Sequence, residues 1–170
     1  MDWDRLLAFL AQRAIPHVES VSNGAYYRTV RIERRDQTHT GFIEVRHAAA
    51  ERVLTVRLSD ALLPACAVVL ERVKRLFDLD ADPVAIDRAL GALAEKRPGL
   101  RLPGSFDSFE MAVRAVLGQQ VSVASARTLA GRVAERFGDA AANAGCGANP
   151  LIPDASTHRL GFTGRYRQAW

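Results

Sequence analysis

The spacing of apolar residues along the chain changes twice, from a helical pattern to a strand-like one and back. Asp2 is suited to capping a first helix, in which apolar residues recur at helical spacing at Leu6, Leu7, Phe9 and Leu10. This helix is predicted to end near Ile15, because the residue before a proline (here Pro16) avoids helical backbone. Apolar and polar residues then alternate, with many β-branched and aromatic types, in the stretches 25–33, 40–47 and 53–59.

Short polar connections between these stretches predict an antiparallel meander of three or more strands. Because side chains alternate between the faces of a strand, one face of this sheet is predicted to be exposed to water. The residues that this face would carry are Arg31, Glu44, Arg46, Thr55 and Arg57.

The helical period returns at residues 60–79, where Pro64 is tolerable only in the first turn. A further helix is predicted after Pro83. Together these elements predict an α+β arrangement, a small antiparallel sheet with helices on one face. The apolar residues expected to be buried are Leu63, Cys66, Leu70, Val73 and Phe77 in the first of these helices, and Ile86, Leu90 and Leu93 in the second.

Two Pro-Gly pairs within residues 96–105 indicate a domain boundary, which divides the chain into 1–97 and 98–170. The second part is predicted to be helical. Asp107 with Glu110 resembles a capping box, Gly118 is suited to a left-handed helix stop, and Ser122 to the next cap. Residues 139–150 are predicted to form a loop. The buried faces would carry Phe109, Val113, Val116 and Leu117, then Val123, Ala126, Leu129, Val133 and Phe137.

The composition adds three points to this picture. Hydrophobic residues make up 48% of the chain, enough for a core, and no apolar run approaches the roughly 20 residues that cross a bilayer. Cys66 and Cys146 lie far apart and the four histidines show no metal-ligand spacing, so we expect a cytoplasmic protein without metal or cofactor. The net charge of +4 favours a polyanionic partner, and all but two of the 23 basic residues are arginine, which suits phosphate contact.

The connection between the two C-terminal helices is the most informative motif. Between Gly118 and Ser122 lie only Gln119, Gln120 and Val121, so the two helices would hold a short, rigid and outward-pointing tip. A purely structural interpretation is also open, in which Gln119 bonds a helix-end carbonyl and Gln120 only faces solvent.

The longer string that contains this turn, RPGLRLPGSFDSFEMAVRAVLGQQVSVASARTLAGRVAERFG (97–138), resembles the helix-hairpin-helix DNA glycosylases. In detail it is similar to the bacterial DNA-3-methyladenine glycosylase II family. DWDRLLAFLAQRAI (2–15), the meander and LERVKRLFDLDADP (70–83) resemble further segments of that family in the same order. The resemblance runs from about residue 2 to 138, and LGFTGRYRQAW (160–170) is similar to the next family helix.

This resemblance implies base-excision repair of double-stranded DNA that contains alkylated bases. The family flips a base of the 3-methyladenine type out of the duplex and hydrolyses its N-glycosidic bond. The resemblance places a wedge that fills the vacated space at Gln120, supported by Gln119, within a DNA-contacting turn that includes Val121 and Ser122. It also places Phe9 beside the flipped base, although Phe9 fits an ordinary core position equally well.

The resemblance also implies that part of the family's machinery is not in this sequence. The family's catalytic aspartate follows a helix-hairpin-helix motif and would lie beyond Trp170. Asp107 and Glu110 are better explained as helix caps. We therefore expect an incomplete helical glycosylase domain, with apolar helix surface left in water, that is inactive alone and completed by a fusion or a missing C-terminal portion.

Two other functions remain open at this point. The chain could be a non-catalytic DNA-binding or regulatory remnant of such a glycosylase. It could also be a relative directed at oxidised guanine, although that relative's corresponding turn is rich in asparagine rather than Gly-Gln-Gln.

Overall fold

The computed structural model describes residues 1–138, in which one helix, a run of strands and a run of helices follow one another as the sequence predicts. Two short 3-10 helices span Ala49–Glu51 and Asp60–Ala65. The regular elements, in chain order, are α1 (Trp3–Arg13), β1 (Glu19–Ser22), β2 (Ala25–Arg34), β3 (Gln37–Ala48), β4 (Val53–Leu58), α2 (Cys66–Leu76), α3 (Pro83–Leu90), α4 (Ala92–Glu95), α5 (Ser108–Leu117) and α6 (Val123–Phe137).

The strands form one antiparallel sheet in the order β1-β2-β3-β4. β1 was not predicted individually, because its four residues are too few to show a clear alternation. Helices cover one face, where Phe77 packs its ring 5.6 Å from that of Tyr26 and 5.3 Å from that of Trp3. All three side chains are buried, so the core lies between this face and the helices α1 and α2. The α+β prediction is therefore confirmed.

The opposite face of the sheet is polar, as predicted, but Glu44, which was expected to be exposed there, is buried. Glu44 faces Arg57 across the β3–β4 pair, and Arg46 lies two residues further along β3. Both arginines form ion pairs with the Glu44 carboxylate. The two long side chains cover this carboxylate, so Glu44 is buried although it lies on the water-facing side.

Two predictions about the middle helices are wrong. The predicted helix over 60–79 is divided, with Pro64 inside a 3-10 helix and with Leu63 exposed. Ile86, Leu90 and Leu93 are exposed rather than buried, because α3 packs mainly on the short α4 and not on the sheet. The helical spacing of these apolar residues was interpreted correctly, but spacing does not reveal which neighbour covers a helix.

The segment between α4 and α5 packs back onto the first part of the chain. The Asp2 N–H donates to the Gly99 carbonyl and the Gly104 N–H to the Leu76 carbonyl. A Cβ atom on Gly104 would lie 2.5 Å from the Arg75 carbonyl oxygen, so this close approach requires glycine. These contacts fix the point from which α5 begins. The proposed domain boundary remains a prediction.

Within residues 1–138, no helix is both long and apolar enough to cross a bilayer. The same residues contain no cluster of three or more side chains that could hold a metal ion. The predicted loop at 139–150 and the family-like segment at 160–170 lie outside the described residues.

Candidate functional site: an exposed turn beside a cavity

The turn between α5 and α6 (residues 118–122, hereafter the turn) has the predicted position but a different backbone. Gly118 has a φ of −85° and is not the left-handed stop that the sequence predicts. The left-handed residue is Gln120, with a φ of 58°. Glycine is favoured at 118 for another reason, since a Cβ atom there would lie 3.0 Å from the Arg114 carbonyl oxygen, a tight contact that would require a small shift. A non-glycine residue in this conformation costs about 1–3 kcal/mol, so the fold holds Gln120 under backbone strain.

Both ends of the turn are fixed by local hydrogen bonds. The Gly118 N–H donates to the Arg114 carbonyl at 2.9 Å and the Gln119 N–H to the Val116 carbonyl at 3.3 Å. At the other end the Ser122 hydroxyl accepts from the Ser125 N–H at 3.1 Å, which confirms the predicted cap of α6. The turn is consequently a defined structure between two helices.

All four residues that the resemblance assigns to DNA contact lie together on this turn. Gln119, Gln120, Val121 and Ser122 are exposed. The observed arrangement, two helices meeting at a bend with an exposed glutamine pair, has the geometry that a wedge requires. Their roles toward DNA remain a prediction.

Phe9 lies in α1 and borders the same region. Its side chain is 39% exposed, so it is not part of the core. It lines a cavity of about 330 Å³ between α1, α5, α6 and residues 103–106, and Gly118 and Val121 of the turn line that cavity too. The Arg13 guanidinium lies 3.7 Å from the centroid of the Phe9 ring. Phe9 and the turn, which the resemblance singles out, thus border the same cavity.

A cluster of four charged side chains (Glu19, Arg28, Glu110 and Arg114, hereafter the charge cluster) contributes to the polar part of the cavity wall. Arg28 lies 2.7 Å from the Glu110 carboxylate and 3.6 Å from that of Glu19. Arg114 pairs with both carboxylates as well. The cluster connects the sheet to α5 through alternating charges, each of which neutralises its neighbours.

Glu19 is, with Arg28, one of the two buried members of the charge cluster. Its carboxylate accepts hydrogen bonds from the Tyr26 hydroxyl at 2.6 Å and from the Ile15 N–H at 3.1 Å. Burial alone would raise the pKa of Glu19, but Arg28, Arg114 and these two donors outweigh burial, and the pKa lies below its ordinary value of 4.5. Burial, the largest cause, also holds the pKa of Tyr26 well above its ordinary value. Glu19 is therefore a structural anion at neutral pH.

The prediction of helix caps at the start of α5 is confirmed in part. The Asp107 carboxylate accepts from the Glu110 N–H at 3.0 Å and pairs with Arg72 at 2.9 Å. Burial opposes ionisation of Asp107, but the backbone N–H groups and Arg72 lower its pKa below the ordinary value. Glu110 does not complete a capping box, because its carboxylate contacts Arg28 and Arg114 instead.

The two helices beyond residue 107 expose much of the apolar surface that the sequence predicts to be buried. Phe109 is 79% exposed, Phe137 is 77% exposed, and Val116 and Val123 are exposed as well. In α6, Ala130 and Gly131 are buried instead, because this side of the helix faces α1. The expectation that these helices leave apolar surface in water agrees with these exposures.

Sequence reasoning missed the charge cluster and Phe106. Arg28 and Glu110 are 82 residues apart, and Arg114 and Glu19 are 95 residues apart, so no local pattern links them. The ring of Phe106 is buried with the Arg28 guanidinium 4.0 Å from its centroid. The only sequence signal was the occurrence of Arg28 at a position of β2 where alternation predicts an inward-facing side chain.

Comparison with known proteins finds relatives that are named as a DNA glycosylase and a DNA repair enzyme. The chain is 43% identical over 138 residues to DNA-3-methyladenine glycosylase 2 of Escherichia coli (strain K12), a match covering 81% of this chain and 48% of the relative. It is 40% identical over 144 residues to a probable bifunctional transcriptional activator/DNA repair enzyme AlkA of Mycobacterium tuberculosis, covering 80% of this chain and 27% of the relative. The chain thus spans half or less of the length of these curated relatives.

Solved structures give the same fold. A 3-methyladenine DNA-glycosylase from Archaeoglobus fulgidus superposes with a TM-score of 0.63 at 21% identity, over 82% of this chain and 48% of that protein. The model of the AlkA N-terminal domain family matches residues 1–107, from α1 to the cap of α5. Because this match covers more than half of the chain, the protein belongs to the AlkA N-terminal domain family.

Proposed function

We propose that this chain recognises damaged double-stranded DNA as part of an alkylation-repair glycosylase. The observation that carries the proposal is the strained, exposed Gln120 at the bend between two helices, beside the cavity that Phe9 lines. The relatives named as DNA-3-methyladenine glycosylase and DNA repair enzyme support the same conclusion.

In this proposal the turn enters the duplex where a base has left the stack. Flipping a base costs a few kcal/mol, and a group that fills the vacancy prevents the base from returning. The Gln120 amide can fill this space and hydrogen-bond the unpaired partner base, while Gln119 supports it from the preceding position. Phe9 would offer the flipped base the ring face opposite the Arg13 guanidinium, and an alkylated, positively charged purine is attracted to such a face.

The described residues supply recognition rather than hydrolysis. Glycosidic cleavage needs a carboxylate that can stabilise the developing positive charge at the sugar. The carboxylates among the described residues that line the cavity are Glu19 and Glu110, and both are already paired with arginines. We therefore propose that these 170 residues alone bind damaged DNA and release no 3-methyladenine from methylated DNA.

Equilibrium binding tests the proposal. The 170-residue chain is titrated into fluorescein-labelled duplexes that either contain one abasic-site analogue or are undamaged. We expect Gln120→Ala to lower the preference for the abasic duplex about tenfold, because it removes the group that fills the vacancy. Gln37→Ala, at an exposed glutamine of β3, is the matched control and should change neither affinity. Equal preference in wild type and Gln120→Ala would refute the wedge role.

A further inference from the structure

Each helix beside the turn reaches back with one arginine to the end of α1. The Arg114 guanidinium of α5 donates to the Arg13 carbonyl at 3.2 Å. The Arg127 guanidinium of α6 donates to the Ala14 carbonyl at 2.7 Å. The two helices are thus attached, by separate contacts, to consecutive carbonyls of one element.

These carbonyls are suited to such contacts for a general reason. The last carbonyls of a helix have no partner within the helix and carry its partial negative charge, so cations bind there favourably. The packing beside Arg127 is also close, because a Cβ atom on Gly131 would lie 3.1 Å from the Pro16 ring. α6 therefore approaches the α1–β1 connection closely, and a side chain at 131 would require Pro16 to shift by a few tenths of an ångström.

The same end of α1 carries the aromatic side chain of the cavity. Phe9 lies one turn before Arg13, and the Arg13 guanidinium donates to the Phe9 carbonyl at 3.3 Å. Arg114 begins the last turn of α5, four residues before Gly118. Phe9 and the turn are therefore connected through only the last turn of α1, Arg114 and the last turn of α5.

We propose that Arg114 and Arg127 are positioning residues that lock the two helices onto α1, so that Gln120 and Phe9 act on DNA at a fixed separation. This inference rests on the proposed function. Under this inference the two guanidiniums bind protein carbonyls and not phosphates. Arginines beside a DNA-contacting turn would ordinarily be assigned to phosphate contact. The benefit of a fixed separation is that insertion of the wedge and acceptance of the flipped base occur without reordering either helix.

Arg127 is the better residue to change, because Arg114 also neutralises the buried Glu19. Binding of Arg127→Ala to the abasic and undamaged duplexes is measured at several salt concentrations. We expect the preference for the abasic duplex to fall about tenfold, as for loss of one hydrogen bond from a charged group. The slope of log affinity against log salt should stay that of wild type, since no phosphate contact is lost. Arg132→Ala removes the same charge from an exposed site on α6 and serves as the matched control.

The outcomes separate the two proposals. Equal weakening on both duplexes with a salt slope reduced by about 1 would make Arg127 a phosphate contact and overturn the inference. An unchanged preference would overturn it as well. If Gln120→Ala leaves the preference unchanged, the proposed function fails, whatever Arg127→Ala does.

Two further variants keep the test decisive. The double variant Arg127→Ala/Gln120→Ala should show no greater loss of preference than Gln120→Ala alone, since Arg127 acts through the wedge. Additive losses would contradict this.

If Arg127→Ala does not fold, Arg127→Lys replaces it. The lysine keeps the charge but loses the planar donor, so a roughly threefold loss of preference supports positioning and wild-type preference overturns it.

Discussion

Replacing Glu19 by glutamine tests whether the charge cluster holds the two parts of the chain together. The substitution keeps the size of the side chain but removes the charge that faces Arg28 and Arg114. The Glu19 side chain is 6% exposed, so water cannot compensate for the loss. Removal of one partner from a buried ion pair costs about 3–5 kcal/mol, and because glutamine can still accept a hydrogen bond we expect the lower end, about 3 kcal/mol. This is a large part of a typical free energy of unfolding, about 5–15 kcal/mol.

The pH dependence of this loss follows from the lowered pKa of Glu19. A carboxylate whose pKa is lower in the folded state stabilises the fold above its unfolded pKa, and this contribution disappears as the pH falls through the folded value. The difference between wild type and Glu19→Gln should therefore be largest at neutral pH. It should decrease once the pH falls below the ordinary value of 4.5.

Urea unfolding at a series of pH values measures both effects, with the slope m checked for constancy. Glu33→Gln is the matched control, since Glu33 pairs with Arg31 but its side chain is 72% exposed. Such a surface pair contributes about 0–1 kcal/mol. The reasoning is refuted if Glu19→Gln costs no more than Glu33→Gln at pH 7, or if its cost is the same at pH 3 as at pH 7.

Two further substitutions test the second part of the chain. Asp107→Ala removes the cap of α5 and the partner of Arg72, so we expect the free energy of unfolding in urea at pH 7 to fall by about 1–2 kcal/mol. Because the pKa of Asp107 is lowered in the folded protein, this loss should diminish below pH 3.8. A pH-independent loss would show that the charge of Asp107 contributes nothing. We expect the exposed apolar surface of α5 and α6 to cause self-association, and Phe109→Ser, which replaces a 79% exposed aromatic side chain, should weaken it in sedimentation with stability changed by less than about 0.5 kcal/mol. A loss of several kcal/mol would show that Phe109 is covered in solution.

Local features of this protein could be predicted from its sequence. The caps Asp2, Asp107 and Ser122 bind backbone N–H groups within three residues, so their short-range pattern is sufficient to locate the starts of α1, α5 and α6. The alternation along β2, β3 and β4 likewise depends only on which side chains share a face. For the same reason the exposed turn between α5 and α6 was predicted at the correct residues.

Features that depend on a distant partner could not be predicted. Leu90 and Phe109 have the spacing of buried helical residues, but whether a helix face is covered depends on elements far away in the chain. The strained backbone was assigned to Gly118, the residue with the lowest intrinsic cost, yet the structure places it at Gln120. The pairing of Arg28 with Glu110 required the fold itself, because the two residues belong to different parts of the chain.

The insertion of Gln120 into damaged DNA can be tested most directly by NMR of the side-chain amides of the 170-residue chain. On addition of an abasic-site duplex, the account predicts that the Gln120 amide signals shift strongly, and that they shift far less with the undamaged duplex. The Gln37 signals should stay in place with both. Saturating binding of the abasic duplex with unchanged Gln120 signals would contradict the account.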